Sequence, residues 1–311
     1  MVELGDYSLS HNNNLINNND FFNDLKKQPK YAWPTIILFV VCIGSIIGST
    51  CAAIYGQISY ISACFITGTI GYFMFSPMHD AIHSSVGKKI GINTLVGRIS
   101  FFYYSTLVAF ELMQFMHFRH HRNANGPEDE ADHIIQSGPA WFRPIKWAFL
   151  DYIYGWKYLE LYWKDRPKSE KQNIIIMFLL TLVMWTFLII NGYLIELLML
   201  WIIPQRISFF LIAFIFVYLP HLPNEVSEQE NVYRSTSNRV GMEWLLSPLM
   251  GYQNYHLVHH LYPDIPFYRM VKVWNARLDE HLSHDPAIVS PFGLYPKPAK
   301  KEIILEKNIL K

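Results

Sequence analysis

The chain has 311 residues, 51% hydrophobic and 16% aromatic, with only 16% charged and a formal net charge of +1. Soluble domains carry closer to about 25% charged residues, and a nucleic-acid binder would show a basic excess. The composition therefore excludes an ordinary soluble domain and a nucleic-acid partner.

In chain order, "MVELGDYSLSHNNNLINNND" is polar and Asn-rich, with no apolar run after a basic start. Residues 1–30 read as a disordered tail rather than a cleavable signal peptide. From Tyr31 to His79 no side chain is charged, and from Ile174 to Pro220 only Glu196 and Arg206 are. A transmembrane helix needs roughly 20 apolar residues, so each block holds two spans, expected near 33–54 and 58–78, then 174–195 and 202–220. The first pair turns at Tyr55-Gly56-Gln57, the second between Glu196 and Arg206. Cys42, Cys51 and Cys64 lie in the first block without disulfide or zinc spacing and read as small core residues.

Basic residues gather on one side of the spans: Lys26, Lys27, Lys30, Lys88, Lys89, Lys164, Arg166, Lys168 and Lys171. The opposite side holds Arg206 alone. The positive-inside rule then puts both termini and the long central loop in the cytoplasm. "SFFYYSTLVAF", 100–110, is too short to span and reads as a re-entrant or surface helix. "WFRPIKWAFLDYIYGWKYLELYWKDR", 141–166, mixes Trp and Tyr with Lys and Arg, as a helix in the headgroup layer does. The expectation is an all-α polytopic protein of the bacterial inner membrane or its equivalent. Its membrane domain runs over 31–285, with a cytoplasmic helical cap and a C-terminal tail from 286 to 311.

The chemistry lies in the histidines. "HDAIH" holds His79 and His83, "HFRHH" holds His117, His120 and His121, and "NYHLVHHLYP" holds His256, His259 and His260. Residues three or four apart share a helix face, so each box presents imidazoles to one point. All three boxes fall on the cytoplasmic side, and "YLPHLP" adds His221 as a candidate ninth ligand at the end of the fourth span. Nine imidazoles exceed the needs of one ion but fit two with about four nitrogens each. Imidazole suits iron, copper, zinc and nickel; a structural zinc takes only four ligands, and a redox pair, iron first, suits the count. Ligating histidines usually donate their second N–H to an acceptor, for which Asp80 and the run Glu128, Asp129, Glu130 and Asp132 are candidates, with His133 and Asn254 beside them.

His-x-x-x-His followed twice by His-x-x-His-His on four spans resembles the membrane fatty-acid desaturase and hydroxylase superfamily of di-iron enzymes. Within it, "HDAIH", "HFRHHRNANGPEDEADH", "YLPHLP" and "NYHLVHHLYPDIPFYR" are most similar to the bacterial carotenoid β-ring hydroxylase branch. The resemblance implies two irons held by His79, His83, His117, His120, His121, His256, His259 and His260, with His221 matching an additional histidine. The chain departs from the branch at Asn125-Gly126-Pro127 and Glu130-Ala131-Asp132, where the branch reads Asn-Asp-Pro and Asp-Pro-Asp.

Such a site uses dioxygen and two electrons to oxidise an unactivated C–H bond, with hydroxylation of a carotenoid β-ring expected and oxidation of an acyl lipid the alternative. No Cys-x-x-Cys pair or His-Pro-Gly-Gly haem site is present, so the electrons are expected from a separate carrier such as a ferredoxin. A histidine-rich metal transporter is the distant rival. Transporters place ionisable groups at the bilayer midplane, whereas these histidines gather at one face.

Overall fold

The computed structural model describes residues 18–105 and 107–296, the side chains of residues 131 and 132 excepted. Residues 1–17 of the tail expected over 1–30, and residues 297–311 of the one expected over 286–311, lie outside the described residues. Helix α1 (Asn19–Lys26) precedes the first membrane pair, α2 (Trp33–Ile54) and α3 (Tyr60–Ile82). Then come α4 (Ile90–Tyr104), α5 (Phe110–Asn123), α6 (Glu130–Gln136), α7 (Arg143–Ala148) and α8 (Leu150–Leu161). The second membrane pair is α9 (Lys168–Ile190) and α10 (Leu194–His221). The C-terminal part holds α11 (Val232–Ser235), β1 (Ser237–Arg239), α12 (Glu243–Leu249), α13 (His256–Leu261), α14 (Met270–Ala276), α15 (Leu278–Ser283) and β2 (Ala287–Val289).

Four helices are therefore long and apolar enough to cross a membrane. α2 buries Thr35, Cys42, Ile46, Ser49 and Ala53, a stripe at helical spacing that packs on α3, where Ser49 and Thr67 share a 3.0 Å hydrogen bond. Between α3 and α10 small residues set the approach. A Cβ on Gly71 would lie 2.3 Å from Ser208 Oγ, and one on Gly68 2.8 Å from Ile207. Apolar side chains gain nothing by leaving lipid for one another, so close backbone packing of this kind holds membrane helices together.

α10 is one continuous helix with two widened π segments, Leu198–Ile202 and Ala213–Tyr218. Each precedes a proline, Pro204 and Pro220. Proline lacks an N–H and its ring collides with the carbonyl four residues back, and a π turn absorbs that fault without breaking the helix.

Several expectations change. The first span falls where expected; the others are Tyr60–Ile82, Lys168–Ile190 and Leu194–His221. The second turn is Asn191-Gly192-Tyr193, Gly192 taking φ +85, and not the stretch between Glu196 and Arg206. Both of those charges sit inside α10 because each has a partner. Tyr60 Oη donates to Glu196 at 2.8 Å. Arg206 makes a bidentate pair with Asp151 of α8 at 2.7 and 2.8 Å, and Ser105 Oγ donates to the same carboxylate. The apolar stretch 100–110 is not one helix. α4 ends at Tyr104 and α5 begins at Phe110, and Tyr103 accepts from Gln205 Nε2 of α10 at 2.8 Å. Gln205 lies about 17 Å along α10 from Leu194 at 1.5 Å per residue, so the two helices form a re-entrant hairpin. The segment 141–166 is two helices and a short 3-10 turn; Trp141 and Trp156 are exposed, but Trp147 is buried against Phe214 and Tyr218.

The described parts of both expected tails are folded. Asn18 caps α1 through Phe21 N–H, and Phe22 and Leu25 are buried in the C-terminal core. β2 pairs in parallel with β1, so residues 287–289 belong to the fold, which is mostly helical rather than purely α.

In the Asp151–Arg206 pair the carboxylate is fully buried and the arginine side chain is only 12% exposed. Asp151→Leu leaves a guanidinium buried without its carboxylate, which costs roughly 3–5 kcal/mol. Thermal unfolding of the solubilised protein should show that loss for either single substitution and recover most of it in Asp151→Leu/Arg206→Leu.

Candidate metal centre

His79 and His83 stand one turn apart at the end of α3, His221 ends α10, and α5 and α13 carry the two triple boxes. At 100° per residue, positions i and i+4 diverge by about 40° while i+3 falls about 60° to the other side of i. Each triple box is therefore split between two directions.

The nine rings form two groups. His79, His83, His117, His121 and His259 converge in the first, and His120, His221, His256 and His260 in the second, the ligand atoms within each lying within 4.8 Å of one another. α5 gives its i, i+4 pair to the first group and His120 to the second; α13 does the reverse, giving His256 and His260 to the second and His259 to the first. The groups adjoin, with the His121 and His260 rings 4.4 Å apart.

Inside each group the Nε2 atoms face one another. In the first, His117 lies 3.0 Å from His79, 2.9 Å from His83 and 3.0 Å from His121, and His259 lies 2.8 Å from His121. In the second, His256 is 3.1 Å from His221 and 3.2 Å from His260. In the second group three of the other ring nitrogens face acceptors that favour a proton on Nδ1. His120 Nδ1 is 3.1 Å from the Asp129 carboxylate, His221 Nδ1 3.1 Å from Asn125 Oδ1, and His256 Nδ1 2.7 Å from Gln253 Oε1. The Glu228 carboxylate stands 3.4 Å from His260 Nδ1. The Asn125 amide is oriented by its own donations to Val226 O and Ser235 O, so an oxygen must face His221. Nδ1–H tautomers leave Nε2 as a bare lone pair, and lone pairs opposed at about 3 Å repel. A cation answers this: two nitrogens each about 2.1 Å from one ion and at right angles lie about 3 Å apart. The donor set fits two metal ions, all nitrogen and without thiolate.

Burial first, and neighbouring imidazoles second, hold His83, His117, His121 and His259 well below the ordinary histidine range, and His256 likewise. Burial lowers His260 too, against the opposing pull of Glu228. Each of these shifts favours the neutral imidazole, the form that ligation requires.

Among the residues expected to orient the ligands, Asp129 does so, and it also accepts from Asn125 N–H at 3.2 Å. Asp80 does not. Its carboxylate accepts from Thr35 Oγ1 at 2.6 Å and from Phe267 N–H at 3.1 Å, tying α3 to α2 and to the chain after α13. Asn254 donates to Ser247 Oγ and Arg239 O and braces a loop. His133 is exposed and lines an outer cleft with Arg143 and Tyr218. The Asp132 side chain lies outside the described residues. Asn125, Gln253 and Glu228 were missed. Asn125 has φ +60, a left-handed conformation that Asn tolerates, and Asn-Gly at 125–126 is the one sequence hint of it. Glu228 has none.

These groups define the class. A family model of fatty acid desaturases matches residues 58–291, and the chain belongs to that family. The dihydrorhizobitoxine desaturase of Bradyrhizobium elkanii is 29% identical over 227 residues, 65% of this chain and 63% of that protein. Two β-carotene ketolases, from Paracoccus sp. strains PC1 and N81106 / MBIC 01143, are each 23% identical over 205 residues, 65% of this chain and 73% of theirs. The chain thus spans under two thirds of the length of the desaturase relative.

Two outcomes follow. The histidines bind protons near pH 6.5 when unfolded but stay neutral when folded, so the unfolded state takes up more protons as pH falls. Metal-free protein should keep its thermal midpoint above about pH 6.5 and lose it steadily between pH 6.5 and 5, measured by scanning fluorimetry. Gln253→Leu removes an acceptor behind a ligand, a change that typically costs 10–100-fold in metal affinity. Elemental analysis after dialysis should then show content falling towards one ion per chain.

Proposed function

We propose that the chain is an integral membrane di-iron oxidoreductase that uses dioxygen and two electrons from a separate carrier to oxidise an unactivated C–H bond of a lipophilic substrate. The observation that carries this reading is the gathering of nine histidines into adjoining groups of five and four. When bound, the metal pair supplies the redox chemistry for dioxygen. Iron is favoured because zinc has no redox chemistry and a structural zinc would be complete with four ligands.

The residues of the chain do the rest. Their neutral imidazoles hold the metals, and Asp129, Asn125 and Gln253 fix the ring orientations. Aromatic packing excludes water: Phe75 stacks on His79 with ring centroids 5.1 Å apart, Phe216 lies 4.4 Å beyond it and Tyr72 a further 5.2 Å. That ladder runs from the first histidine group into the membrane-spanning core, between α3 and α10. Tyr72 Oη donates to Leu249 O at 2.7 Å, which draws α12 to the level of the spans, with Trp244 and Leu249 exposed.

For the substrate, the motifs and the two relatives named as β-carotene ketolases support hydroxylation of a carotenoid β-ring. Desaturation is the second reading, favoured by the family match and by the desaturase relative, the more similar at 29% identity. Transport is disfavoured because the histidines occupy helix ends at one face, which we place with both termini in the cytoplasm.

Purified protein should contain close to two irons per chain, and His259→Ala should lose at least about 100-fold in activity while still inserting into membranes. In a host that makes β-carotene, new hydroxylated pigment supports the ring reading. Altered fatty acids with unchanged pigment would replace it with the second, and stoichiometric zinc with full activity in His259→Ala would sink both.

A further inference from the structure

A cleft of about 410 Å³ opens beside the first histidine group, between the α4–α5 hairpin and the first turns of α9. One wall is aromatic, built by Phe110, Phe115 and Phe118. Phe118 is 38% exposed, and its ring meets that of His83 edge-on at 5.4 Å, so the floor lies one ring from the metal ligands. The rim is charged. Arg98 pairs with Glu111 at 2.7 Å. Arg166 pairs twice with Glu170 and lies over the Phe115 ring at 3.9 Å. Arg122, whose Nε donates to Phe118 O at 3.2 Å, has no ion-pair partner among the described residues. Three arginines against two glutamates leave the rim with one positive charge. An aromatic wall under a singly cationic rim, beside the first turns of α9, is complementary to an amphiphile with one negative charge.

We propose that this cleft binds the anionic head of an amphiphile, a carboxylate or phosphodiester held by Arg122, with its apolar portion against Phe118 and Phe115. A free acid and an anionic membrane lipid offer the same chemistry, and the site rests on this geometry rather than on either substrate reading. A free acid bound here would place its chain beside His83; a lipid would close that side of the centre.

The test is native mass spectrometry of the full chain in neutral detergent with palmitate, phosphatidylglycerol and phosphatidylcholine. One or both anionic amphiphiles should be retained over phosphatidylcholine, and Arg122→Gln should weaken retention about tenfold, the value of one charge-assisted hydrogen bond. Phe118→Ser should also reduce it. Palmitate-selective retention assigns the head to a free acid and phosphatidylglycerol-selective retention to a lipid; both support the site. Equal retention of phosphatidylcholine, or retention unchanged in Arg122→Gln, overturns it. Iron content read on the same preparations separates the two failures, because a wrong di-iron reading shows as missing iron and a wrong cleft as missing selectivity.

Discussion

Everything in this chain is arranged around opposed lone pairs. Nine imidazoles from α3, α5, α10 and α13 converge in two groups, with neighbouring Nε2 atoms about 3 Å apart, a spacing that suits shared cations. Meeting it requires four separate segments to end at one depth. The re-entrant hairpin and the C-terminal helices place α5 and α13 there, while the spans bring α3 and α10. The splitting of each triple box then comes free from helical rotation, since i and i+4 point one way and i+3 another.

The bilayer imposes the second constraint. Lipid offers no hydrogen bonds, so polar groups at membrane depth must be satisfied by the protein. Glu196 meets Tyr60, and Arg206 meets Asp151 and the carbonyl of Ala148. The Arg206–Asp151 pair also joins α8 to the last span and, through Ser105, to the turn of the hairpin that leads into the second histidine box. A pairing far from any imidazole in sequence thereby sets the entry of α5, and with it the direction of His117, His120 and His121.

The two groups are not braced alike. In the second, three imidazoles have a hydrogen-bonding acceptor behind them, the Asp129 carboxylate and the Asn125 and Gln253 amides, while the Glu228 carboxylate stands 3.4 Å from His260 Nδ1 without a hydrogen bond. In the first, the Nδ1 atoms of His83 and His259 are buried without a hydrogen-bond partner among the described residues. Orientation there comes from packing, with Phe75 on His79 and Phe118 on His83. The less braced group is also the one beside the aromatic ladder and the charged cleft, where a substrate would have to approach.

The sequence by itself determined the membrane class, the number of spans and the histidines that meet, because uncharged runs and i, i+3, i+4 spacings are local properties that a helix turns directly into faces. It offered Asp129 only as one of a run of four acidic residues after the second box. Only the tertiary structure decided where Glu196 and Arg206 lie, since charge in a hydropathy profile reads as a helix end unless a partner such as Asp151, 55 residues away, neutralises it. It also decided that Asp80, next to a ligand, faces away from the metal groups to Thr35 and Phe267, while Glu228, from a loop with no motif, stands beside His260. Neighbours along a helix point in directions 100° apart, so adjacency to a ligand predicts little about contact with it. The acceptor behind an imidazole is chosen by whichever segment packs there.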